Sequence, residues 1–351
     1  MKLQYFFIGL LVVTMQCTAQ TQVRPTATIA NFDGISYYLP RTAVDVAVEI
    51  EQYIDIPGPF ANYAARFLGS VEVVRDAKSS WHVVDIQVQP RMLPDTTKRY
   101  VVVMNTSSSA WNLQLTPDGI LRGVNLPNER HSATPYLHNE VVLDTSMHFD
   151  WAQLGEDALV ASSILKMAEM TAKQIYHIRE SRMALLTGDN AHQPDGVALQ
   201  QMLEQLNVRE QALMAFFVGK RLVKPCTKHI VLMPESGIQR RVLFRFSASM
   251  GFLEADNLAG QPFYVELHPN YLTQQTCKHV QKQPKRCGLY YNIPGSADVI
   301  VSDSEGVRCK AHLSMPQFGL ISALPADLFN KRMTQVTFSA DGQVLSINSV
   351  E

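Results

Sequence analysis

Apolar residues recur every three to four positions through residues 156–186. Val160, Ile164, Met167, Thr171, Gln174, Ile178, Arg182 and Leu185 fall on one helical stripe, widened by Ala168, Ile175 and Leu186. The spacing returns in Leu199, Leu203, Leu206, Glu210, Leu213 and Phe217, which predicts a second helix over 197–218. Glu156 and Asp157 open the first helix, where carboxylates offset the dipole. Gly188 and Gly219 stand where each helix ends. The connection between them holds Gly188, Asp189, Asn190, Pro194 and Gly196, all turn formers. At 1.5 Å rise per residue the rods would be about 45 and about 33 Å long. Joined by so short a loop, they run antiparallel. Two rods alone do not bury both stripes, so flanking sheets must complete the core.

The flanks alternate instead. In residues 35–50, Val44, Val46, Val48 and Ile50 face one way. A Pro57-Gly58-Pro59 turn leads into a short helix carrying Phe60, Tyr63, Ala64, Phe67 and Leu68, ended by Gly69. Strands are expected at 71–74, 81–88, 100–104, 110–115, 241–246 and 263–267. Two segments echo each other. Residues 113–125 (LQLTPDGILRGVN) align without a gap to residues 336–348 (VTFSADGQVLSIN). Asp-Gly between alternating strands is a hairpin signal. Tyr37-Tyr38-Leu39-Pro40 with the run 43–48 resembles Tyr290-Tyr291-Asn292-Ile293-Pro294 with the run 297–301. The predicted fold class is therefore α+β: antiparallel, sandwich-like β modules with a central two-helix antiparallel hairpin. The predicted divisions are a signal peptide (1–19), an N-terminal β domain with one short helix (20–127), a linker (128–155), the helical hairpin (156–220), a middle β segment (221–275) and a C-terminal β domain related to the first (276–351).

Composition changes this picture in two places. Of 351 residues, 46% are hydrophobic and 18% charged, which is enough for a core. The formal net charge of −1 argues against a nucleic-acid partner held by a basic face. The first residues have another purpose. Lys2, the apolar run 5–13 and the small residues of Cys17-Thr18-Ala19 form a secretory signal cleaved before Gln20. Removing Lys2 takes the formal charge from −1 to −2. Cys17 has a second reading as a lipid-anchored cysteine, but Gln16 stands where a small residue is wanted. No later run approaches the roughly 18 apolar residues of a membrane span. The expected location is the periplasm or cell envelope.

The other cysteines are Cys226, Cys277, Cys287 and Cys309. An even count in an exported chain implies disulfides, and four cysteines allow three connectivities. Cys277 and Cys287 flank a polar loop, so spacing pairs them and leaves Cys226 with Cys309. No CxxC favours zinc instead.

Four segments carry a resemblance to a known family: Tyr38-Leu39-Pro40-Arg41-Thr42; Pro57-Gly58-Pro59-Phe60 through Tyr63-Ala64; Ile175-Tyr176-His177-Ile178-Arg179-Glu180-Ser181-Arg182; and Gln317-Phe318-Gly319 with Leu324-Pro325. They resemble the secreted bacterial proteins grouped as domain of unknown function 4831. The resemblance implies secretion and a chain of this length, and it carries no activity or site residues.

Candidate chemistry is sparse. His131, His138, Glu140, Asp144, His148 and Asp150 crowd the linker, but without HExxH they read as a polar connector, not a metal site. Ser236 sits in a Pro-Glu-Ser-Gly turn without GxSxG. Tyr176, His177, Arg179, Glu180 and Arg182 read as ion pairs in preference to an anion pocket. Trp81, Trp111 and Trp151 read as core residues in preference to a sugar platform. Lys278, His279, Lys282, Lys285 and Arg286 make a basic loop. No catalytic, cofactor-binding or metal residue is assigned. The expected function is a non-enzymatic binding or assembly module meeting an envelope protein or glycan; the alternative is a carbohydrate-active or other extracytoplasmic hydrolase.

Overall fold

The computed structural model describes residues 22–25, 34–69, 72–103, 112–127, 148–187, 196–272, 287–329 and 333–350. In chain order the elements begin with β1 (Gln22–Pro25), β2 (Gly34–Ile56), α1 (Ala64–Leu68), β3 (Lys78–Val103), β4 (Leu113–Leu115) and β5 (Leu121–Val124). Three helices follow, α2 (Glu156–Leu159), α3 (Ile164–Thr187) and α4 (Gly196–Val218). The rest is β6 (Lys220–Leu232), β7 (Ile238–Ser247), β8 (Gly251–Leu253), β9 (Gln261–Asn270), β10 (Cys287–Ser302), β11 (Val307–Pro325), β12 (Met333–Phe338) and β13 (Val344–Val350). Among the described residues every pairing between these strands is antiparallel, apart from one isolated parallel bridge from Tyr38 to Ile120, so the fold is mostly antiparallel sheet with a few helices.

The described residues form three sheets, ordered β1-β3-β2-β6, β11-β10-β9-β7-β8 and β13-β12-β5-β4. The strands cross the boundaries expected from the sequence. β6 joins the first sheet, β7 to β9 join β10 and β11, and the N-terminal β4–β5 hairpin joins the C-terminal β12–β13 hairpin. β2 and β3 are far longer than the runs that predicted them. The stretches 81–88 and 100–104 fuse into one strand that absorbs Pro90 and Pro94. Among the described residues β3 has a strand neighbour on its outer side only where β1 meets Tyr100–Val103, and an edge strand tolerates proline because no ladder needs its missing N–H. Of the expected strand 71–74, the described residues 72–74 form no strand.

The echo between residues 113–125 and 336–348 is real geometry. Leu113 faces Val124, Gln114 faces Gly123 and Leu115 faces Leu121; Val336 faces Ile347, Thr337 faces Ser346 and Phe338 faces Val344, with the same bulge at the same step. Both turns repeat their bonds. The Thr116 amide donates to Ile120 O (2.8 Å) and the Gly119 amide to Thr116 O (2.9 Å); the Ser339 amide donates to Gln343 O (2.8 Å) and the Gly342 amide to Ser339 O (3.0 Å). Gly119 and Gly342 have φ of 81° and 82°, which a β-carbon disfavours. Each hairpin also hooks a long strand in the same way: Tyr38 N–H donates to Gly119 O and Asn292 N–H to Gly342 O.

Three cores lie between these layers. One fills the sandwich of β2, β3 and β6 against β7 to β11, with Val44, Val46, Val48, Phe244, Val265, Val299 and Met315 at its centre. A second gathers Tyr37, Leu39, Tyr100, Val124, Leu289, Val336 and Phe338 under the double hairpin. The third is helical and holds Phe60, Ala168, Ile175, Leu213, Phe216 and Phe217.

The helices differ from expectation in two ways. The first is broken: α2 stops at Leu159, and Ser163 restarts the chain as α3, its hydroxyl accepting from the Lys166 amide (3.3 Å). The buried face is also rotated. Val160 is 77% exposed and Ile164 56%, while Ala168, Thr171, Ala172, Ile175 and Ile178 are buried. Small residues win that face because Phe216 and Phe217 of the third core need the room. On α4 the expected Glu210, Leu213 and Phe217 are buried, as is Phe216. Glu210 accepts from Arg179 (2.6 Å) and Arg182 (2.7 Å), so the polar cluster of α3 is an ion-paired contact to α4. The rest of that contact locks onto the Pro57–Phe67 region: the Phe60 amide donates to Phe216 O (2.8 Å) and the Tyr176 hydroxyl to Phe67 O (2.8 Å).

Cys226 and Cys309 are free thiols, so the bridge expected between them is not formed. Register explains why. Cys226 on β6 faces Ile50, and Ile50 faces Val83. The Cys309 thiol instead meets the backbone of Val88, whose row runs through Val46. Two strand spacings and four residues separate those rows, about 10 Å across and about 13 Å along. A disulfide needs Cα atoms within about 7 Å. Cys17, Cys277 and the Cys287 side chain lie outside the described residues, as do the signal segment and the basic loop.

Candidate functional site

The sheet of β7 to β11 packs on β3 through the sandwich core, and two backbone contacts mark its ends. The Trp81 amide donates to Ala248 O (2.8 Å) in the β7–β8 turn, and the Cys309 thiol of β11 rests on Val88. Along this edge, over the buried Ile86, a cleft of about 680 Å³ remains. Small-ligand sites span roughly 300–1,000 Å³. Its floor is aromatic and aliphatic: Ile86, Phe246 and Phe263, with Trp81 at one end. The indole packs so closely on Gly251 that a β-carbon there would lie 3.0 Å from the ring.

The rim is polar. Asp85 comes from β3, and Asp303, Glu305 and Arg308 come from the tight β10–β11 connection. Three carboxylates against one guanidinium leave two net negative charges. Asp85 Oδ1 accepts from the Ile86 amide (2.9 Å) and Oδ2 from the Gln87 side chain (3.0 Å). Asp303 Oδ1 accepts from the amides of Glu305 (2.8 Å) and Gly306 (3.0 Å), and its Oδ2 from Arg308 Nε (2.6 Å). Arg308 also donates to Glu305 (2.5 Å). Burial alone would push the Asp303 carboxyl up, but Arg308 and the two amides together hold it below the usual carboxylate range. Asp303 is thus the pin of the turn.

That pin has a pH signature. A carboxyl whose folded pKa is depressed adds stability above its unfolded pKa and loses it as pH falls through the folded one. Asp303→Asn keeps an oxygen for the amides but loses the charge facing Arg308. The variant is expected to be less stable than the parent at pH 7, with the gap shrinking as pH falls below about 4. Urea melts of both proteins at pH 7 and pH 3 check this; a gap that is unchanged or wider at pH 3 contradicts it.

Other sequence candidates do not join the cleft. Trp151 is exposed and not a core residue as expected; it packs edge-on against Phe60 and Phe216 at the margin of the helical core, far in the fold from Trp81 beside the sandwich core, so the two make no common platform. Trp111 lies outside the described residues, as do His131, His138, Glu140 and Asp144. Asp150 accepts from the Ala152 amide (3.1 Å) and His148 O from Lys220 (2.8 Å), both local scaffolding. Among the described residues no group of three His, Cys, Asp or Glu is placed to hold a metal. The Ser236 hydroxyl donates only to Gly237 O (3.5 Å) in its own turn. Among the described residues no helix is long and apolar enough to cross a membrane. The cleft residues themselves gave no motif: Asp85 and Glu305 are 220 positions apart, and Asp-Ser-Glu-Gly signals only a turn.

Comparison with known proteins gives one match. The model of a family described as domain of unknown function (DUF4831) matches residues 33–345, nearly the whole chain. No curated protein and no solved structure matches.

Proposed function

We propose that the chain is a binding or assembly module and not an enzyme: it belongs to the DUF4831 family, and its cleft has the build of a binding site. One observation carries the reading. Every carboxylate on the rim already accepts hydrogen bonds from N–H donors of the protein. Hydrolysis by paired carboxylates needs one of them to hold a proton for the leaving group. Asp303, with its lowered pKa, is the least suited to that task. What remains is an apolar floor with fixed polar groups around it, which suits recognition.

The module works outside the cytoplasm, in the periplasm or cell envelope. The apolar run behind Lys2 and the small residues before Gln20 support that placement. In this reading α3 and α4 form one antiparallel hairpin, its connection in residues 188–195. Turn-forming Gly188, Asp189, Asn190 and Pro194 support it, together with the shared Glu210 ion pairs. The hairpin braces the sandwich through the Pro57–Phe67 region, and the cleft at the opposite strand edge meets the ligand.

Calorimetric titration of the mature chain with a panel of envelope glycans and peptides tests this. Val84 lines the cleft and is 55% exposed, so Val84→Trp fills the cleft without entering the core. Saturable binding without turnover, lost in Val84→Trp at an unchanged melting temperature, is expected. Turnover of a panel member, or binding indifferent to Val84→Trp, overturns the proposal.

A further inference from the structure

We infer that the cleft takes a basic side chain, lysine or arginine, presented by a partner polypeptide. The inference rests on the binding reading above and names its ligand. Two features of the cleft meet in such a group. Its rim carries two net negative charges, with Asp85 and Glu305 facing solvent and Arg308 already held by Asp303 and Glu305. Its floor is apolar, with Phe246, Phe263 and Ile86 below and the Trp81 indole at one end. A long aliphatic stem ending in a cation satisfies both, the stem on the floor and the charge at the rim. A ring at the end of the cleft adds attraction for the cation. An anion meets the rim's net charge with repulsion, and a purely apolar ligand leaves the rim unused.

Strand addition along β3 is the obvious rival, because residues 82–87 have strand pairing only to β2 among the described residues. The backbone is not set for it. The Trp81 amide is taken by Ala248, and the Ile86 amide is capped by the Asp85 carboxylate. The ladder is also bulged between Val83 and Asp85. Charges and bulges of this kind blunt an edge against pairing. The occupant therefore enters side chain first.

The experiment uses the mature chain and three probes at low and physiological salt: an acetylated, amidated peptide with one central lysine, the same peptide with norleucine in that place, and free butylamine. The lysine peptide is expected to bind, at least tenfold tighter than the norleucine peptide, and more weakly as salt rises. Asp85→Asn with Glu305→Gln is expected to weaken it about tenfold, because each exposed charge at contact contributes a factor of a few. The Asp85→Asn change keeps a side-chain oxygen for the Ile86 amide, and an unchanged melt confirms the fold. Equal binding of lysine and norleucine peptides, butylamine binding with no peptide binding, or indifference to the double variant each overturns the inference. If another ligand binds and Val84→Trp abolishes it while the lysine peptide does not bind, this inference fails and the binding reading stands. If no ligand responds to Val84→Trp, the binding reading itself fails.

Discussion

Phe216→Ala is expected to destabilise the protein by about 3–5 kcal/mol, the range for deleting a buried aromatic ring. Phe216 is 1% exposed and stands at the hub of the helical core. Its ring meets Phe60 at 5.7 Å, Phe149 at 5.4 Å and Trp151 at 5.2 Å between centroids. Its carbonyl also accepts the Phe60 amide, which holds the Pro57-Gly58-Pro59 turn against α4. Alanine keeps that bond and removes every ring contact, so the loss reports packing. Ala168 and Ala172 on the facing helix are too short to refill the space. Because this core is separate from the sandwich core, the helical signal is expected to melt ahead of the sheet signal. Denaturant melts followed by far-ultraviolet circular dichroism, with amide exchange read separately on α3–α4 and on β9–β11, check both points. A loss under about 1.5 kcal/mol would mean that the helices are held from elsewhere.

Gly319→Ala is expected to cost about 3 kcal/mol, at the upper end for forced overpacking. Gly319 ends the four-residue excursion of β11 between Met315, which faces Gly295, and Leu320, which faces Ile293. A β-carbon there would sit 1.9 Å from Ile293 O and 2.6 Å from the Gly295 nitrogen. Both obstacles are backbone in the middle of a strand, so no side chain can swing aside. The neighbouring Gln317 raises the stakes. Its side-chain amide pairs with the Thr42 backbone, accepting from the amide at 3.0 Å and donating to the carbonyl at 2.8 Å, and so stitches β11 to β2. Displacing Gly319 strains that stitch and the Leu272 amide bond to Phe318 O as well. Guanidinium melts check the cost; a variant within about 0.5 kcal/mol of the parent, a margin typical of surface changes, contradicts the packing described.

These two positions also show what the sequence could reveal. Both lie beside segments that carried the family resemblance, and the structure gives those segments a physical task. Tyr38 through Thr42 and Gln317 through Gly319 meet where the sheets join; Pro57 through Phe60 meets α4. The hairpins at Asp118-Gly119 and Asp341-Gly342 were legible because a local turn dictates them. The break at Ser162-Ser163 was missed, since a side chain capping its own backbone outweighs apolar spacing. The mixing of strands among sheets was missed because register between β5 and β12, more than 200 residues apart, leaves no local trace. The cleft was illegible for the same reason: its lining joins β3 to the β7–β8 region and to the β10–β11 connection, both more than 150 residues further along the chain.

The cleft beside Trp81 and Ile86, and not a face of α3 or α4, is expected to receive the ligand. Backbone amide exchange, followed by mass spectrometry on the protein with and without a saturating ligand from the calorimetric panel, tests it most directly. Protection gained at residues 81–88 and 303–308, with the α3–α4 pair unchanged, is the predicted result. Protection confined to residues 181–209 with none at the cleft would contradict it.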